Sequence, residues 1–308
     1  GSIADNKGDV IIGGTHTVIG GTQGMTNAAV GKGDTVDYSN LSDNIILTMA
    51  NGTGITNVTL GADINNHTFS GIENIIGSAA ADTITGNSFI NTILGGASDD
   101  TIDGGDGADY LDGGFTDVNN DNLNDEKNTI SFASSAAGVT VNLNTGTTSQ
   151  SDTLLNFTNI IGTDLAAQSD NLIGDANANK IEGLKGNDTL EGLGGDDHLL
   201  GGEGNDTFIL RADDGEDTIE GGAGSGDTLD YSNLTASQNL NLEIDTSTSK
   251  VATVTDTKGT VDIADDIVYI DNVVDVENIK CGAGDDRIIG DTYNNTLKGN
   301  DGDDYLSG

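Results

Sequence analysis

Carboxylate and amide side chains recur at a nine-residue spacing in three separate runs of this sequence. When windows of nine residues start at Gly77, at Gly174 and at Cys281, position six of every window is Asp or Asn. These residues are Asp82, Asn91, Asp100, Asp109, Asn179, Asp188, Asp197, Asp206, Asp286, Asn295 and Asp304. Side-chain oxygens of this kind are the donors that hard divalent cations prefer. Their spacing therefore predicts a series of cation sites.

Two other window positions explain how such sites would be arranged. Position one is Gly in every window except the one that begins at Cys281, and glycine permits the positive φ of tight turns. Position eight is always large and apolar: Ile84, Ile93, Ile102, Leu111, Ile181, Leu190, Leu199, Phe208, Ile288, Leu297 and Leu306. Stacked turns would bury these side chains in one aliphatic column. Stacking would also align the acidic residues in a ladder that is unstable unless cations lie between its carboxylates.

Composition supports the same chemistry. The 308 residues include 51 acidic and 11 basic ones, which gives a formal net charge of -40. A fold with this charge repels itself, so multivalent cations are its natural counter-charge. Nucleic acid is a poor partner because phosphate binding requires clusters of Lys and Arg.

Residue usage predicts an all-β fold. There are 46 Gly residues and no Pro, and proline fits poorly inside sheets. The single cysteine, Cys281, excludes an internal disulfide framework. No stretch is apolar for the roughly 18 residues that a membrane-spanning helix needs.

The windows resemble the RTX nonapeptide G-G-x-G-x-D-x-U-x, which forms calcium-binding parallel β-rolls. The best copies are Gly104–Asp112 and Gly201–Ile209. The resemblance implies an elongated parallel β-roll, or β-solenoid, with calcium ions in the turns and longer strand-rich insertions between the runs. In that family two nonapeptides make one solenoid turn, and aspartate oxygens and turn carbonyls hold each ion.

By this resemblance, the calcium ligands fall into two groups. The expected carboxylate ligands are Asp82, Asp100, Asp109, Asp188, Asp197, Asp206, Asp286 and Asp304. The expected carbonyl ligands are Gly96, Gly105, Gly107, Gly114, Gly186, Gly195, Gly202, Gly204, Gly282, Gly284 and Gly302. Asn91, Asn179 and Asn295 offer a neutral oxygen and are expected to give weaker sites. Phe89, Ser98 and Asn177 depart from the glycine of position four.

Two further segments carry candidate ligands. Segment 206–227 is similar to the end of the β-roll in serralysin-type secreted proteases, which implies that Asp217 and Asp227 face calcium ions. In the segment 117–125, Asp117, Asn119, Asp121 and Asp125 match the start of an EF-hand-like loop. Asn128 stands where that loop would place its bidentate Glu, so a solvated polar loop is an equal alternative.

A longer repeat divides the chain into three units. Asp34–Asn40 recurs as Asp227–Asn233 and, more weakly, as Asn128–Ala133, and an alternating strand follows each copy. We therefore predict units at 1–126, 127–220 and 221–308, with nonapeptide runs at 77–114, 174–209 and 281–308. No Pro-rich or Ser-rich linker separates them, which favours one continuous stack.

Catalytic motifs are missing from the sequence. His16, His67 and His198 form no His-Glu-x-x-His motif, and there is no Gly-x-Ser-x-Gly elbow or phosphate loop. Cys281 lies in an acidic setting, whereas a reactive thiol needs an electropositive one. We therefore predict that the chain is not an enzyme.

These observations leave several roles open. The leading one is a structural calcium-binding region of a large secreted or cell-surface bacterial protein, an adhesin that is exported by type I secretion machinery and folds on calcium. Alternatives are the non-catalytic C-terminal domain of a secreted protease or alginate epimerase, and a calcium-dependent carbohydrate-binding module. Gly308 would begin a further repeat, so neighbouring domains of a larger parent chain are expected partners.

Overall fold

The computed structural model describes residues 10–12, 17–19, 35–51, 56–60, 63–70, 72–115, 126–212, 214–243, 250–256, 267–291 and 293–308. The predicted EF-hand-like ligands Asp117, Asn119, Asp121 and Asp125 lie outside these residues. All regular structure in the described part is β-strand. No helix in that part of the chain is long and apolar enough to cross a membrane.

Short strands alternate with turns along the chain. The first fifteen are β1 Val10–Ile12, β2 Thr17–Ile19, β3 Thr35–Asp37, β4 Ile45–Thr48, β5 Thr56–Leu60, β6 Asp63–Ser70, β7 Asn74–Ile76, β8 Thr83–Asn87, β9 Thr92–Leu94, β10 Thr101–Gly105, β11 Tyr110–Asp112, β12 Thr129–Ser131, β13 Thr140–Asn142, β14 Thr147–Thr148 and β15 Thr153–Leu155. The others are β16 Asn159–Ile161, β17 Asn171–Ile173, β18 Lys180–Lys185, β19 Thr189–Glu191, β20 His198–Glu203, β21 Thr207–Ile209, β22 Thr218–Ala223, β23 Thr228–Asp230, β24 Gln238–Glu243, β25 Lys250–Asp256, β26 Ile267–Val274, β27 Asn278–Lys280, β28 Arg287–Ile289, β29 Thr296–Lys298 and β30 Tyr305–Ser307.

The described strands divide into two compact units. Unit 1 lies within Gly1–Ser135 and Thr145–Asn159, and unit 2 within Ala136–Asn144 and Ile160–Gly308. Unit 1 has one sheet in the order β1-β6-β5-β4-β8-β10-β12 and another in the order β2-β3-β7-β9-β11-β15-β14. Unit 2 has the orders β16-β18-β20-β22-β26-β25-β24-β28-β30 and β13-β17-β19-β21-β23-β27-β29.

Successive windows alternate between the two sheets, and this produces the roll. In unit 1, Ile84 of β8 pairs in parallel with Ile102 of β10, one solenoid turn further along. On the other sheet, Ile93 of β9 pairs with Leu111 of β11 in the same way. Two nonapeptides therefore make one turn, as the RTX resemblance implies. The all-β parallel roll predicted from the sequence is confirmed.

Antiparallel hairpins interrupt the parallel stacking where the sequence leaves the nonapeptide pattern. Strands β4, β5 and β6 pair antiparallel in unit 1, and β24, β25 and β26 do so in unit 2. Each group is the strand-rich insertion that follows a copy of the longer repeat. Both groups rejoin the roll by parallel pairing, β4 with β8 and β24 with β28.

The weaker copy of the longer repeat is half a solenoid turn out of phase. Residues 35–37 form β3 in one sheet of unit 1, whereas the matching residues 129–131 form β12 in the other sheet. An even number of nonapeptide strands, β8 to β11, separates β7 from β12, so β12 falls on the sheet opposite β7 and β3. Sequence similarity alone does not show which sheet a repeat enters.

Position eight supplies the core. Its residues are fully buried throughout the first two runs and at Ile288. Leu306 is an exception, because 41% of its surface is exposed on β30, the last strand of its sheet. Tyr38 and Tyr231, from the two best copies of the longer repeat, are buried as well.

The buried column predicts a position-specific loss of stability. Leu111→Ala removes a fully buried side chain and is expected to cost about 2–5 kcal/mol. Leu155→Ala, at a site with 40% exposure on the neighbouring strand β15, should cost below about 0.5 kcal/mol. Urea unfolding in excess calcium measures both. Equal midpoints for the two variants would show that the column is not the core.

Candidate metal centre

One hydrogen bond repeats along the turns of both units. The residue just before each strand, here called a rung residue, donates its backbone N–H to a side-chain oxygen of the rung residue one solenoid turn later. In unit 1, Asp82 donates to Oδ1 of Asp100 over 2.8 Å. In unit 2, Asp188 donates to Oδ1 of Asp206 over 2.8 Å. Position six of the nonapeptide is thus the rung position, and the carboxylates form the predicted ladder.

The ladder also includes rung residues outside the nonapeptide windows. The N–H groups of Asp197 and Asp206 donate to Asp217 and Asp227, the two residues predicted from the resemblance to serralysins. Windows of fixed length missed four other members: Asn128, Asp152, Asp170 and Glu277. Each of these four precedes a Thr or Asn and then a buried apolar residue. That three-residue signature, searched without fixed spacing, would have found them.

Seven rung carboxylates keep one oxygen buried and without a hydrogen-bond partner. Oδ1 accepts the N–H of the previous rung in six of them and that of Leu240 in Asp286, whereas Oδ2 has no partner within the described structure. The seven are Asp100, Asp109, Asp188, Asp197, Asp206, Asp227 and Asp286. A buried charge without a compensating partner is strongly unfavourable. These oxygens therefore require a positive group that the protein itself does not supply.

The space around these oxygens explains the glycine at position one. A Cβ on Gly183 would lie 2.6 Å from Oδ2 of Asp188, and one on Gly104 would lie 2.5 Å from Oδ2 of Asp109. The expectation that glycine at the start of each window serves a positive φ was wrong. The left-handed residues are at positions two and four, for example Gly105 with φ of 82° and Gly107 with φ of 149°.

Backbone carbonyls complete an oxygen-lined space beside position four. The point where a Cβ of Gly107 would lie is 2.6 Å from Oδ1 of Asp109 and 2.9 Å from the carbonyl oxygen of Phe89. A Cβ on Gly224 would overlap the carbonyl of Gly204 and lie 2.9 Å from Oδ2 of Asp227. Carboxylate and carbonyl oxygens are the donors of calcium sites. The residues present therefore fit calcium.

No described group of three or more His, Cys, Asp or Glu side chains is spaced to hold an ion by itself. This agrees with sites that combine one carboxylate per turn with main-chain oxygens from the neighbouring turn. Among the predicted carbonyl ligands, Gly96, Gly105, Gly107, Gly114, Gly186, Gly195, Gly202, Gly204 and Gly302 have positive φ. Gly282 and Gly284 do not share this conformation, although Asp286 and Asp304 of the same run are joined by the ladder bond.

Burial changes the acidity of the ladder. Desolvation is the largest cause, and it raises the pKa of Asp100 to about 8, with Asp82, Glu126 and Asp99 adding like-charge repulsion. The same cause raises the pKa of Asp188 and of Asp197 to about 7. It raises the pKa of Asp227 to about 6. Without a cation, these carboxyl groups therefore take up protons at pH values well above those at which aspartates usually do.

The residues considered for catalysis show no reactive arrangement in the described structure. Burial, followed by the charges of Asp286 and Asp304, raises the pKa of the Cys281 thiol well above its usual range, so the thiol stays protonated. His198 is on β20, half-exposed, with Nε2 at 3.1 Å from Oε1 of Glu220. The side chains of His16 and His67 lie outside the described residues.

A parallel roll whose turns pair buried carboxylates with carbonyl oxygens defines the class of calcium-binding β-rolls. A family model described as the RTX calcium-binding nonapeptide repeat matches residues 67–88, 85–117, 173–208, 209–226 and 282–308. These segments, somewhat less than half of the chain, contain almost all of the three runs and belong to the RTX family. RTX nonapeptide repeats bind calcium and occur in secreted bacterial proteins. No curated protein matches the chain significantly.

The raised pKa values predict an unusual pH dependence. Because the folded state without calcium binds more protons than the unfolded chain, its stability should rise as the pH falls from about 8 towards about 4. Calcium-depleted protein is therefore expected to have more β structure by circular dichroism at pH 5 than at pH 8. In excess calcium the stability should instead fall towards pH 5, since protons compete with the ion. Equal or lower β content at pH 5 without calcium would contradict this.

A single carboxylate substitution should destabilise the chain in calcium but not without it. Asp197→Asn keeps the Oδ1 acceptor of the ladder but removes the charge that faces the ion. In calcium at about 100-fold excess over its dissociation constant, losing one site should cost about 2.7 kcal/mol. Without calcium the variant should be at least as stable as the parent. The melting temperature in calcium, and the β content by circular dichroism at pH 5 without calcium, measure this.

Glu203→Gln is the matched control for Asp197→Asn. It removes the same charge from an exposed position of a neighbouring turn. We expect it to change little both the melting temperature in calcium and the β content at pH 5 without calcium. If both variants lose the same stability in calcium, general charge screening rather than a specific site explains the ladder.

Proposed function

We propose that this chain is a structural calcium-binding region of a larger secreted or cell-surface bacterial protein, and that it serves as a rigid section of an adhesin. The observation that carries the proposal is the set of seven buried carboxylate oxygens without partners, six of which lie in segments that match the RTX repeat. Calcium supplies the missing positive partner. In this role the chain is a load-carrying scaffold and has no catalytic centre of its own.

The charge of the ladder makes folding depend on calcium. Neighbouring rungs are separated by one strand spacing, roughly 4.8 Å. At that distance two carboxylates repel each other by about 1 kcal/mol in water and by more in a partly buried setting. The repulsion recurs along the whole stack. Binding to the folded state alone reverses the balance, because each occupied site adds its own stabilisation.

Calcium-dependent folding fits export by a type I secretion system. Extracellular calcium modules commonly have dissociation constants of about 10⁻⁴–10⁻³ M. In a cytoplasm with little free calcium the chain remains unfolded and can be threaded through a channel. Outside the cell the ion drives folding. The proposed ligands are the orphaned rung carboxylates and the carbonyls of positions two and four.

Circular dichroism with and without a chelator tests the proposal. The purified chain at pH 8 is expected to have a β spectrum in millimolar calcium and a disordered spectrum in excess EGTA. Magnesium at the same concentration serves as the control for ionic strength and should not restore the β spectrum. A native spectrum and an unchanged melting temperature in EGTA would refute calcium-driven folding. Turnover of casein or alginate by the calcium-loaded chain would refute the structural role.

A further inference from the structure

Eleven turns of the roll have one of two distinct conformations. In the first, here called open, the residue at position two is left-handed and Oδ2 of the rung Asp has no partner. Open turns occur at 95–100, 104–109, 183–188, 192–197, 201–206 and 221–227. Their position-two residues are Gly96, Gly105, Leu184, Leu193, Gly202 and Gly222, with φ between 70° and 121°. Each of these turns ends in one of the orphaned carboxylates.

The second conformation, here called closed, satisfies the rung side chain from within the protein. Position two has no positive φ, and its backbone N–H donates to the rung oxygen. The five bonds are Ser78 to Asp82 at 2.6 Å, Asn87 to Asn91 at 2.8 Å, Thr163 to Asp170 at 2.6 Å, Asp175 to Asn179 at 2.8 Å and Asp291 to Asn295 at 2.9 Å. None of these rung side chains has an orphaned buried oxygen.

A second hydrogen bond holds four of the five closed turns in place. The position-two side chain accepts the N–H of position four: Phe89 donates to Asn87 over 2.9 Å, and Tyr293 donates to Asp291 over 2.9 Å. The same bond joins Asn177 to Asp175 and Ala80 to Ser78. Asx and Ser/Thr turns of this kind are local alternatives to other backbone pairings. In these four turns the position-two side chain therefore stabilises the closed conformation.

Protein donors in the closed turns also replace a positive charge. The hydroxyl of Ser78 donates to Oδ1 of Asp82 over 2.8 Å, in addition to the N–H of Ile45. Where the rung is Asn, its own amide donates instead, as from Nδ2 of Asn91 to the carbonyl of Glu73 over 3.0 Å. Thus the rung side chain of every closed turn is hydrogen-bonded by protein N–H or O–H groups, whereas that of an open turn keeps one oxygen without a donor.

We propose that the closed turns bind no calcium and that the ions occupy the open turns and the turn that ends in Asp286, where Oδ2 is also bare. This inference rests on the proposed calcium binding of the chain. It revises the sequence-based expectations that Asp82 is a ligand and that Asn91, Asn179 and Asn295 form weaker sites. The rung residue alone does not distinguish the two kinds of turn, because Asp82 and Asp100 are both buried aspartates of the same ladder.

The closed turns come first in two of the runs. Turns 77–82 and 86–91 begin the first run, and turns 162–170 and 174–179 precede the open turns of the second. Each pair makes one complete solenoid turn, with one closed turn on each side of the roll. The ladder then continues from the closed pair into open turns, through the N–H of Asp82 to Asp100 and that of Asn91 to Asp109. A calcium-free turn of the roll thus provides a fixed edge on which the calcium-loaded turns stack.

Calcium stoichiometry of matched variants tests the assignment. Asp82→Asn and Asp100→Asn change the same position in successive turns, and both keep an oxygen acceptor for the ladder. The bound calcium of each purified chain is measured by equilibrium dialysis and atomic emission at saturating calcium. We expect Asp100→Asn to lower the stoichiometry by about one ion and Asp82→Asn to leave it unchanged. Loss of an ion from Asp82→Asn, or none from Asp100→Asn, would overturn the inference.

A gain-of-site variant keeps the test decisive if Asp100→Asn fails to fold. The triple substitution Asn87→Gly, Phe89→Gly and Asn91→Asp gives the closed turn 86–91 the pattern of an open one. It should raise the stoichiometry by about one ion, while Asn91→Asp alone should not. An equal gain from Asn91→Asp alone would show that the rung residue, and not the turn, determines binding. A parent chain that binds no calcium would instead refute the proposed function itself.

Discussion

The hydrogen bond from the N–H of one rung residue to the side chain of the next is the interaction on which the roll depends. It fixes the height of each turn relative to its neighbour, because donor and acceptor belong to successive solenoid turns. It also forces a carboxylate into a site where its second oxygen cannot reach water. Parallel strands of three residues bury little surface by themselves, so the register of the stack comes from the turns.

Charge and packing are coupled through this bond. A residue that ends the turn with an acceptor but without a charge, such as Asn91, keeps the ladder and needs no ion. An aspartate in an open turn keeps the ladder as well, but it adds a buried negative charge. The excess of acidic residues is therefore partly a property of the core of the turns, and the ions that match it become part of the folded structure.

Much of this architecture follows from residue spacing, because the period of nine fixes both the strand that enters the core and the rung that precedes it. The buried positions Ile84 to Leu111 and the ladder positions Asp100 and Asp188 were predicted in this way. Asp152 and Asp170 were not predicted, because insertions change the residue spacing but leave the hydrogen bond between rung residues in place. The difference between the closed turn of Ser78 and the open turn of Gly96 was not predicted either. It depends on the backbone conformation at position two, which the rung pattern does not encode. The half-turn offset of β12 depends on how many strands precede it.

The ladder tolerates very different lengths of chain between its members. Bonded rung residues are 18 residues apart within the runs, but Asp100 and Asn128 are 28 apart and Asp227 and Glu277 are 50 apart. Chain segments of different lengths leave the ladder and return to it in register. The roll is therefore a scaffold for loop grafting. Foreign loops can be inserted where the chain leaves the ladder, and the number of solenoid turns between two insertion points sets the distance between the loops.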